Sequence, residues 1–351
     1  VTKPTLPWLD APLRDALGAA RHHHALLIHG PAGIGQFELA LQLAQAWLCT
    51  APAAARPCGE CADCRLVAAH SHPDLRVLVP DALRESLGWG ADEDDAGAAG
   101  AKGSRAKPSK DIRVDAVRAA IAFAQLTASR GRCKVVVLHP AERLNAVAAN
   151  ALLKTLEEPP GDARFVLATG APQALPATVR SRCQPLHLGL PPPAQALAWL
   201  REQGVDAPEL PLAVAGGQPL EALAAWREGL TAQALERVPQ AVHAGDAGAL
   251  AGWTPARAID VLHKLCHDEM ACAVGAAPRY FGAALSAARP PGALGALLPW
   301  SRELARAARH DEHPWQAPLL IESLVLQGQR ACAGIATPTA APARRSVHCA
   351  P

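Results

Sequence analysis

The stretch Ala25-Leu-Leu-Ile-His-Gly30-Pro-Ala-Gly33-Ile-Gly35-Gln36-Phe37, running on into Glu38–Leu48, decides how the rest of the chain is read. A short apolar run ends in a glycine-rich turn, and Leu39, Leu43 and Trp47 then recur at helical spacing. That order, strand then glycine loop then helix, is the setting of a phosphate-binding loop. Gly30-x4-Gly35 keeps the required spacing. However, Gln36 stands where a lysine should reach the β- and γ-phosphates, and Phe37 where a hydroxyl should hold Mg²⁺. Glutamine brings no positive charge and phenylalanine no oxygen for a hard cation, so no productive binding of ATP or Mg²⁺ is expected. The alternative is an ordinary strand–helix turn that never held phosphate. The loop amides could still hold an anion without metal.

Outward from this loop, Lys134-Val-Val-Val-Leu138 reads as a strand buried in a parallel sheet. It continues into His139-Pro140, where an active P-loop ATPase carries the acids that organise magnesium. Val114–Leu126 and Val147–Glu158 have helical spacing, the second stopped by Pro159-Pro160, and Arg164–Thr169 is another apolar strand. Strands alternating with helices predict a doubly wound α/β sheet. From about Arg84 to Lys110 the apolar period disappears, with an acidic block at Asp92–Asp95 and basic residues at Lys102, Arg105, Lys107 and Lys110. This is read as a flexible surface insertion. After Pro191-Pro-Pro193 the pattern is helical only, with Thr254-Pro255 opening one helix and another running from Pro314 through Arg330. The tail after Ala336 is rich in Ala, Pro and Thr and is expected to be disordered.

Cys49-x8-Cys58-x2-Cys61-x2-Cys64 begins where the loop helix ends. Four thiolates at this spacing suit a closed, structural, tetrahedral Zn²⁺ site. An iron–sulfur cluster is the rival, because the triplet opens like a ferredoxin run, but position 68 is Ala and no Cys-Pro follows. A cluster with no metal is the third reading. Cys133, Cys266, Cys272, Cys332 and Cys349 are scattered and read as core or surface thiols. His22-His23-His24 cannot easily converge on one ion from an extended chain and is expected to flank the strand.

The chain has 351 residues, enough for two or three domains, and is 50% hydrophobic, enough for a substantial core. A net charge of +2 and 4% aromatic residues announce neither a basic nucleic-acid binder nor a long stacking platform, though local basic surfaces stay open. The longest apolar runs, such as Val135–Leu138 and Leu319–Ile321, fall far short of the ~20 residues that cross a bilayer. Asp10, Arg14, Asp15 and Arg21 read against a signal peptide. Ten cysteines, four of them clustered, do not make a disulfide framework in a chain this long, so a reducing cytoplasmic compartment is expected.

Asn150-Ala-Leu-Leu-Lys-Thr-Leu-Glu-Glu-Pro-Pro160, then Phe165-Val-Leu-Ala-Thr169, then Ser181-Arg182-Cys183, closely resemble bacterial clamp-loader subunits of the AAA+ family. That family shares the cysteine module after the loop helix. Pro7-Trp8-Leu9, His23-His24-Ala25-Leu26-Leu27-Ile28 and the degenerate loop resemble its member without a working ATP site. The resemblance covers residues 1–190, and beyond them only helical character matches. It implies an AAA+ P-loop NTPase-like domain at 1–186, with a zinc module at 49–64 and the flexible insertion at 84–110. A helical lid at 187–231, an all-helical collar at 232–335 and a disordered tail at 336–351 follow.

The resemblance further implies a non-hydrolysing subunit of the replicative clamp loader of the DNA polymerase III holoenzyme. Its partners would be the motor ATPase and delta-type subunits, the sliding clamp and primed DNA. Arg182, with Ser181 beside it, would reach across a subunit interface to a neighbour's ATP, where a permanently charged guanidinium stabilises the transferring phosphoryl group. Read without the resemblance, Arg182 is a surface salt bridge. Arg180 is the weaker candidate. Thr169 falls where relatives sense nucleotide or where a side chain caps the strand. Gly216-Gly217-Gln218-Pro219 lacks a second sensing arginine. Lys154, Glu157 and Glu158 read as an exposed helix end, with an interface role open through the resemblance. Two other functions stand as alternatives. An active clamp-loader ATPase needs Lys and Ser or Thr at 36 and 37. A zinc-ribbon nucleic-acid binder fits poorly with near-neutral charge and few aromatics.

Overall fold

The computed structural model describes residues 6–19, 23–89, 108–285, 293–309 and 316–335. Most of the expected insertion (90–107), the tail at 336–351 and His22 lie outside the described residues. The chain divides into two compact units, residues 1–195 and 196–351.

The first unit opens with α1 (Asp10–Ala19), β1 (Ala25–His29), α2 (Gln36–Leu48), α3 (Ala62–Ala68), β2 (Leu75–Leu78) and α4 (Asp81–Leu87). It continues with α5 (Val114–Gln125), β3 (Val135–Leu138), α6 (Ala146–Glu157), β4 (Arg164–Thr169), α7 (Ala177–Arg180) and β5 (Gln184–His187). The five strands form one parallel sheet in the order β2-β3-β4-β1-β5. Leu27 pairs with Leu167 on one side and Pro185 on the other, so β1 carries the glycine loop out of the middle of the sheet.

β1, β3 and β4 read directly from sequence because interior strands buried on both faces are continuous apolar runs. All four residues of β3 are fully buried. The sequence reading did not find β2 or β5. Both edge strands are only four residues long, with Arg76 in one and Gln184, Pro185 and His187 in the other. Proline lacks an N–H and is tolerated at a sheet edge, where a ladder donor is dispensable. α4 also takes in Arg84–Leu87, the head of the stretch read as flexible.

One sheet face is covered by α5 and α6, whose Val117, Ala120, Leu152 and Leu156 pack with Val136, Leu138, Phe165 and Leu167. Each such leucine contributes about 1.5–3 kcal/mol by leaving water. Asn145 starts α6 by accepting a hydrogen bond from the Ala148 N–H at 2.8 Å. α2 packs on β4, β1 and β3, burying Leu39 and Leu43.

The second unit is helical throughout its described residues, with α8 (Pro193–Glu202) beginning just ahead of the division. It contains α9 (Glu209–Val214), α10 (Pro219–Arg227), α11 (Ala232–Ala244), α12 (Pro255–Ala273), α13 (Ala293–Arg309) and α14 (Ala317–Cys332). The expected helix from Pro314 starts at Ala317, and 310–315 lie outside the described residues. Val242, Leu262, Leu265, Leu297, Trp300 and Val325 form its core. Gly328 lets α14 approach closely, since a Cβ there would meet Trp300 Cζ2 at 2.6 Å and Val242 Cγ1 at 2.8 Å. Trp300 Nε1 donates to the Leu324 carbonyl at 2.9 Å, so its ring is held as well as buried.

In the first unit, Asp74 and Lys134 form a buried ion pair at 2.9 Å, placed just before β2 and β3. Asp74 also accepts the backbone N–H groups of Ser129 at 2.7 Å and Arg130 at 2.8 Å. Burial raises its carboxyl pKa, but Lys134 and these two amides outweigh burial and hold it below the usual carboxylate value. A pKa depressed on folding contributes stability that is present above the unfolded value and lost as pH falls through the folded one. Asp74→Asn leaves Lys134 charged and buried, and should cost about 3–5 kcal/mol. Urea unfolding at neutral pH should show that loss, and the gap to the wild type should close as the medium is acidified below the ordinary carboxylate range.

Candidate functional site

The glycine loop, residues 30–35, leaves β1 and enters α2. Gly35 has a φ of +104°, which favours glycine, and a Cβ there would meet Leu6 Cδ1 at 2.8 Å. Leu6 and Leu9 are packed there by the N-terminal segment, and Trp8 Nε1 donates to the Ile34 carbonyl at 2.8 Å. On the other side of the loop Gly30 lies against the Leu188 carbonyl, just past β5. Gly170, at the end of β4, packs on Ala32.

Within this frame Gln36 turns inward. Its side chain is 4% exposed, and Nε2 donates to the Gly30 carbonyl at 2.9 Å and to the Pro31 carbonyl. The position that a lysine would use for phosphate is occupied by an amide bonded to the loop's own backbone. Phe37 is also buried and stacks on the His139 ring, with centroids 4.8 Å apart and planes 24° apart. The two departures noticed in sequence, Phe37 and His139, are therefore partners. Glu142 Oε1 accepts the Gly170 N–H at 3.3 Å, tying the ends of β3 and β4 beside the loop. Thr169 is fully buried, and its Oγ1 accepts the Ala171 N–H at 3.1 Å, as a strand cap does.

Cys49, Cys58, Cys61 and Cys64 come together, with all four sulfurs within 4.8 Å of one another. Cys49 follows α2, and Cys61 begins α3, its Sγ accepting the Cys64 N–H at 3.4 Å. Cys58 Sγ likewise accepts the Cys61 N–H at 3.3 Å. Sulfur separations of 3.6 Å for Cys49–Cys58 and 3.9 Å for both Cys58–Cys64 and Cys49–Cys61 bracket a tetrahedral edge. Metal–sulfur bonds of about 2.3 Å give an edge of about 3.8 Å. The cluster can therefore hold a metal ion. Burial pushes the Cys61 thiol up, but the Cys64 N–H and Thr50 outweigh it and bring the thiol down to about 5. The Cys61 and Glu60 amides lower Cys58, while burial raises Cys64.

A polar network behind this cluster was not found in the sequence. Asp63, buried inside the Cys61-x2-Cys64 turn, pairs with Arg130 and accepts from His72 Nε2 at 3.3 Å. His72 Nδ1 accepts the Asp74 N–H at 3.0 Å, which assigns the ring proton to Nε2. Arg132 donates to the Cys49 carbonyl. Segment 127–134 is thus fastened to the cysteine module at both arginines. No spacing pattern marks these partners, which lie more than fifty residues from it in sequence. Of the histidine run, His24 Nε2 meets the Leu156 carbonyl at 2.6 Å, flanking β1.

Arg182 follows α7 and is part-exposed. Its guanidinium pairs with Glu157 at the end of α6, with Nε to Oε1 at 2.7 Å, and Nη1 donates to the Thr178 carbonyl at 2.8 Å. Ser181 Oγ donates to the same carbonyl at 3.1 Å. The structure therefore brings together Arg182, Ser181 and Glu157, and the Arg182–Glu157 contact is the surface salt bridge weighed from sequence.

The class is defined by a five-stranded parallel α/β sheet, a glycine loop whose Gly30 and Pro31 carbonyls are bonded by Gln36, and an adjoining cysteine cluster. A family profile described as DNA polymerase III, delta subunit, matches residues 9–191, just over half of the 351 residues, and the chain belongs to that family. Within it, the chain is similar to DNA polymerase III subunit delta' of Pseudomonas aeruginosa, 41% identical over 231 residues, covering 65% of this chain and 63% of that protein. Subunit delta' of Escherichia coli is 37% identical over 243 residues, covering 67% and 65%. Subunit tau of Escherichia coli is 31% identical over 234 residues, covering 67% of this chain and 31% of tau. The chain thus spans just under two thirds of the length of these delta' relatives.

Removing the Gln36 amide leaves the buried Gly30 carbonyl without that donor. Gln36→Ala should therefore lower stability by about 1–3 kcal/mol, read as a shift in the urea midpoint with an unchanged slope.

Proposed function

We propose that this chain is a non-hydrolysing delta' subunit of the bacterial replicative clamp loader, acting in the cytoplasm with motor ATPase and delta-type subunits. In this reading it helps place the sliding clamp on primed DNA. Residues 187–231 would serve as a lid and 232–335 as an oligomerising collar. The observation that carries the reading is Gln36 hydrogen-bonded to the Gly30 carbonyl of its own loop. A phosphate site whose cation position is filled by a neutral amide has nothing at that position to neutralise a triphosphate. The subunit's contribution to ATP chemistry must then be made at another subunit's site.

Arg182 supplies that contribution. Its side chain is 29% exposed and that of Glu157 49%, so their pair is worth only about 0–1 kcal/mol. A neighbour's triphosphate, with several negative charges and planar acceptor groups, competes readily for the guanidinium. Glu157 holds Arg182 at the surface until such a site is presented. The four cysteines hold Zn²⁺, which supplies structure and no chemistry, and Arg132 and Arg130 carry that rigidity to segment 127–134.

The test is ATP turnover by the reconstituted clamp loader with clamp and primed DNA, with assembly checked by size-exclusion chromatography. Arg182→Ala should assemble and lower turnover well beyond tenfold per affected site, in line with roughly 10³–10⁵ for arginine fingers in GTPases. Glu157→Gln should leave turnover at or above the wild-type level. Unchanged turnover with Arg182→Ala in an intact complex would make Arg182 a structural pair and the subunit a scaffold. Separately, Cys61→Ser should lose one zinc ion per chain by elemental analysis and lower the melting temperature.

A further inference from the structure

We propose that His243, Glu269 and Cys332 form a second metal site, for a divalent ion of the zinc class, inside the helical unit of residues 196–351. The three side chains come from the last turn of α11, from α12 and from the last residue of α14. A nitrogen, an oxygen and a sulfur from them lie within 4.8 Å of one another. His243 Nε2 and Glu269 Oε1 are 2.9 Å apart. Ligand bonds of about 2.0–2.3 Å set tetrahedral edges of about 3.3–3.8 Å. The imidazole and carboxylate need to part by only a few tenths of an ångström to admit an ion.

Charge argues in the same direction. Glu269 is fully buried and Cys332 is buried beside it. Glu269 already pairs with His243, and a bound cation would add to the balance of its buried charge. A divalent ion bound by one carboxylate, one thiolate and a neutral imidazole sums to zero, with the thiol proton of Cys332 released to solvent. The His243 side chain is 39% exposed, so the ion reaches the site from solvent past this ring. The fourth position is then left to water. A sulfur and nitrogen donor set favours zinc-like ions over Mg²⁺ and Ca²⁺. Such an ion would pin together the ends of three helices that build the unit's core. The ligands carry no spacing motif, which is why Cys332 reads from sequence only as a core or surface thiol.

The test is elemental analysis of the full-length chain after zinc loading and gel filtration in millimolar Mg²⁺. His243→Gln and Cys332→Ser should each lose one ion per chain relative to the wild type. Cys61→Ser, in the separate cysteine cluster, should keep that ion. Cobalt added in place of zinc to the metal-free Cys61→Ser chain should give a visible absorption, part of which is lost when Cys332→Ser is combined with it. Because His243 is part-exposed, its replacement should leave the fold intact by circular dichroism even if Cys332→Ser unfolds. A metal content that His243→Gln leaves unchanged in the folded protein overturns the proposal, whatever the total.

Discussion

The Gly30 and Pro31 carbonyls of the loop between β1 and α2 are both hydrogen-bonded by the Gln36 amide, and the neighbouring contacts of the first unit are arranged around that bond. Gln36 donates to the Gly30 and Pro31 carbonyls from the first residue of α2. Gly35 allows the N-terminal segment to close on it, with Trp8 bonded to Ile34 and Leu6 in contact. Phe37, in the place of a magnesium-binding hydroxyl, becomes a core residue stacked on His139. Substitutions that look like losses when matched to a phosphate-loop pattern act here as a mutually packed set. Buried polar groups must find partners, and the Gly30, Pro31 and Ile34 carbonyls find theirs in Gln36 and Trp8.

A second constraint is the connection between the cysteine module and the sheet. Cys49 ends α2, while Asp63 and Cys64 lie on α3 and Asp74 just precedes β2. Arg130 and Arg132 bridge from the segment before β3 to Asp63 and to the Cys49 carbonyl. Together with the Asp74–Lys134 pair, these contacts make residues 49–78 and 127–138 one continuous polar and apolar seam. Half a buried network is worse than none, because each unpaired member bears the full cost of desolvation. The cysteines, the arginines and the buried acids are therefore expected to fail together when any one of them is removed.

What could be read in the sequence was local. β1, β3 and β4 are contiguous apolar runs, the cysteines have a fixed spacing, and Gln36 and Phe37 stand out against a short pattern. What could not be read was pairwise and distant. β2 and β5 are short edge strands with polar residues, so neither apolar continuity nor alternation marks them. Glu157 and Arg182 are twenty-five residues apart, and Glu157 reads as an exposed helix end, with an interface role open only through the resemblance. Asp63, His72, Asp74 and Lys134 are ordinary polar residues until folding encloses them. Helix bounds shifted by a residue or so, as at α5 and α6, because capping and fraying set them rather than the apolar period.

Gln36 fills the place of a phosphate-binding lysine, and its amide donates to the Gly30 and Pro31 carbonyls. Calorimetric titration of the full chain alone with ATP, with and without magnesium, tests this directly. No magnesium-dependent binding is expected, since no lysine, hydroxyl or strand-end acid stands in the positions that would create it. Saturable binding that requires magnesium, and that is lost on substituting a loop glycine, would contradict that expectation.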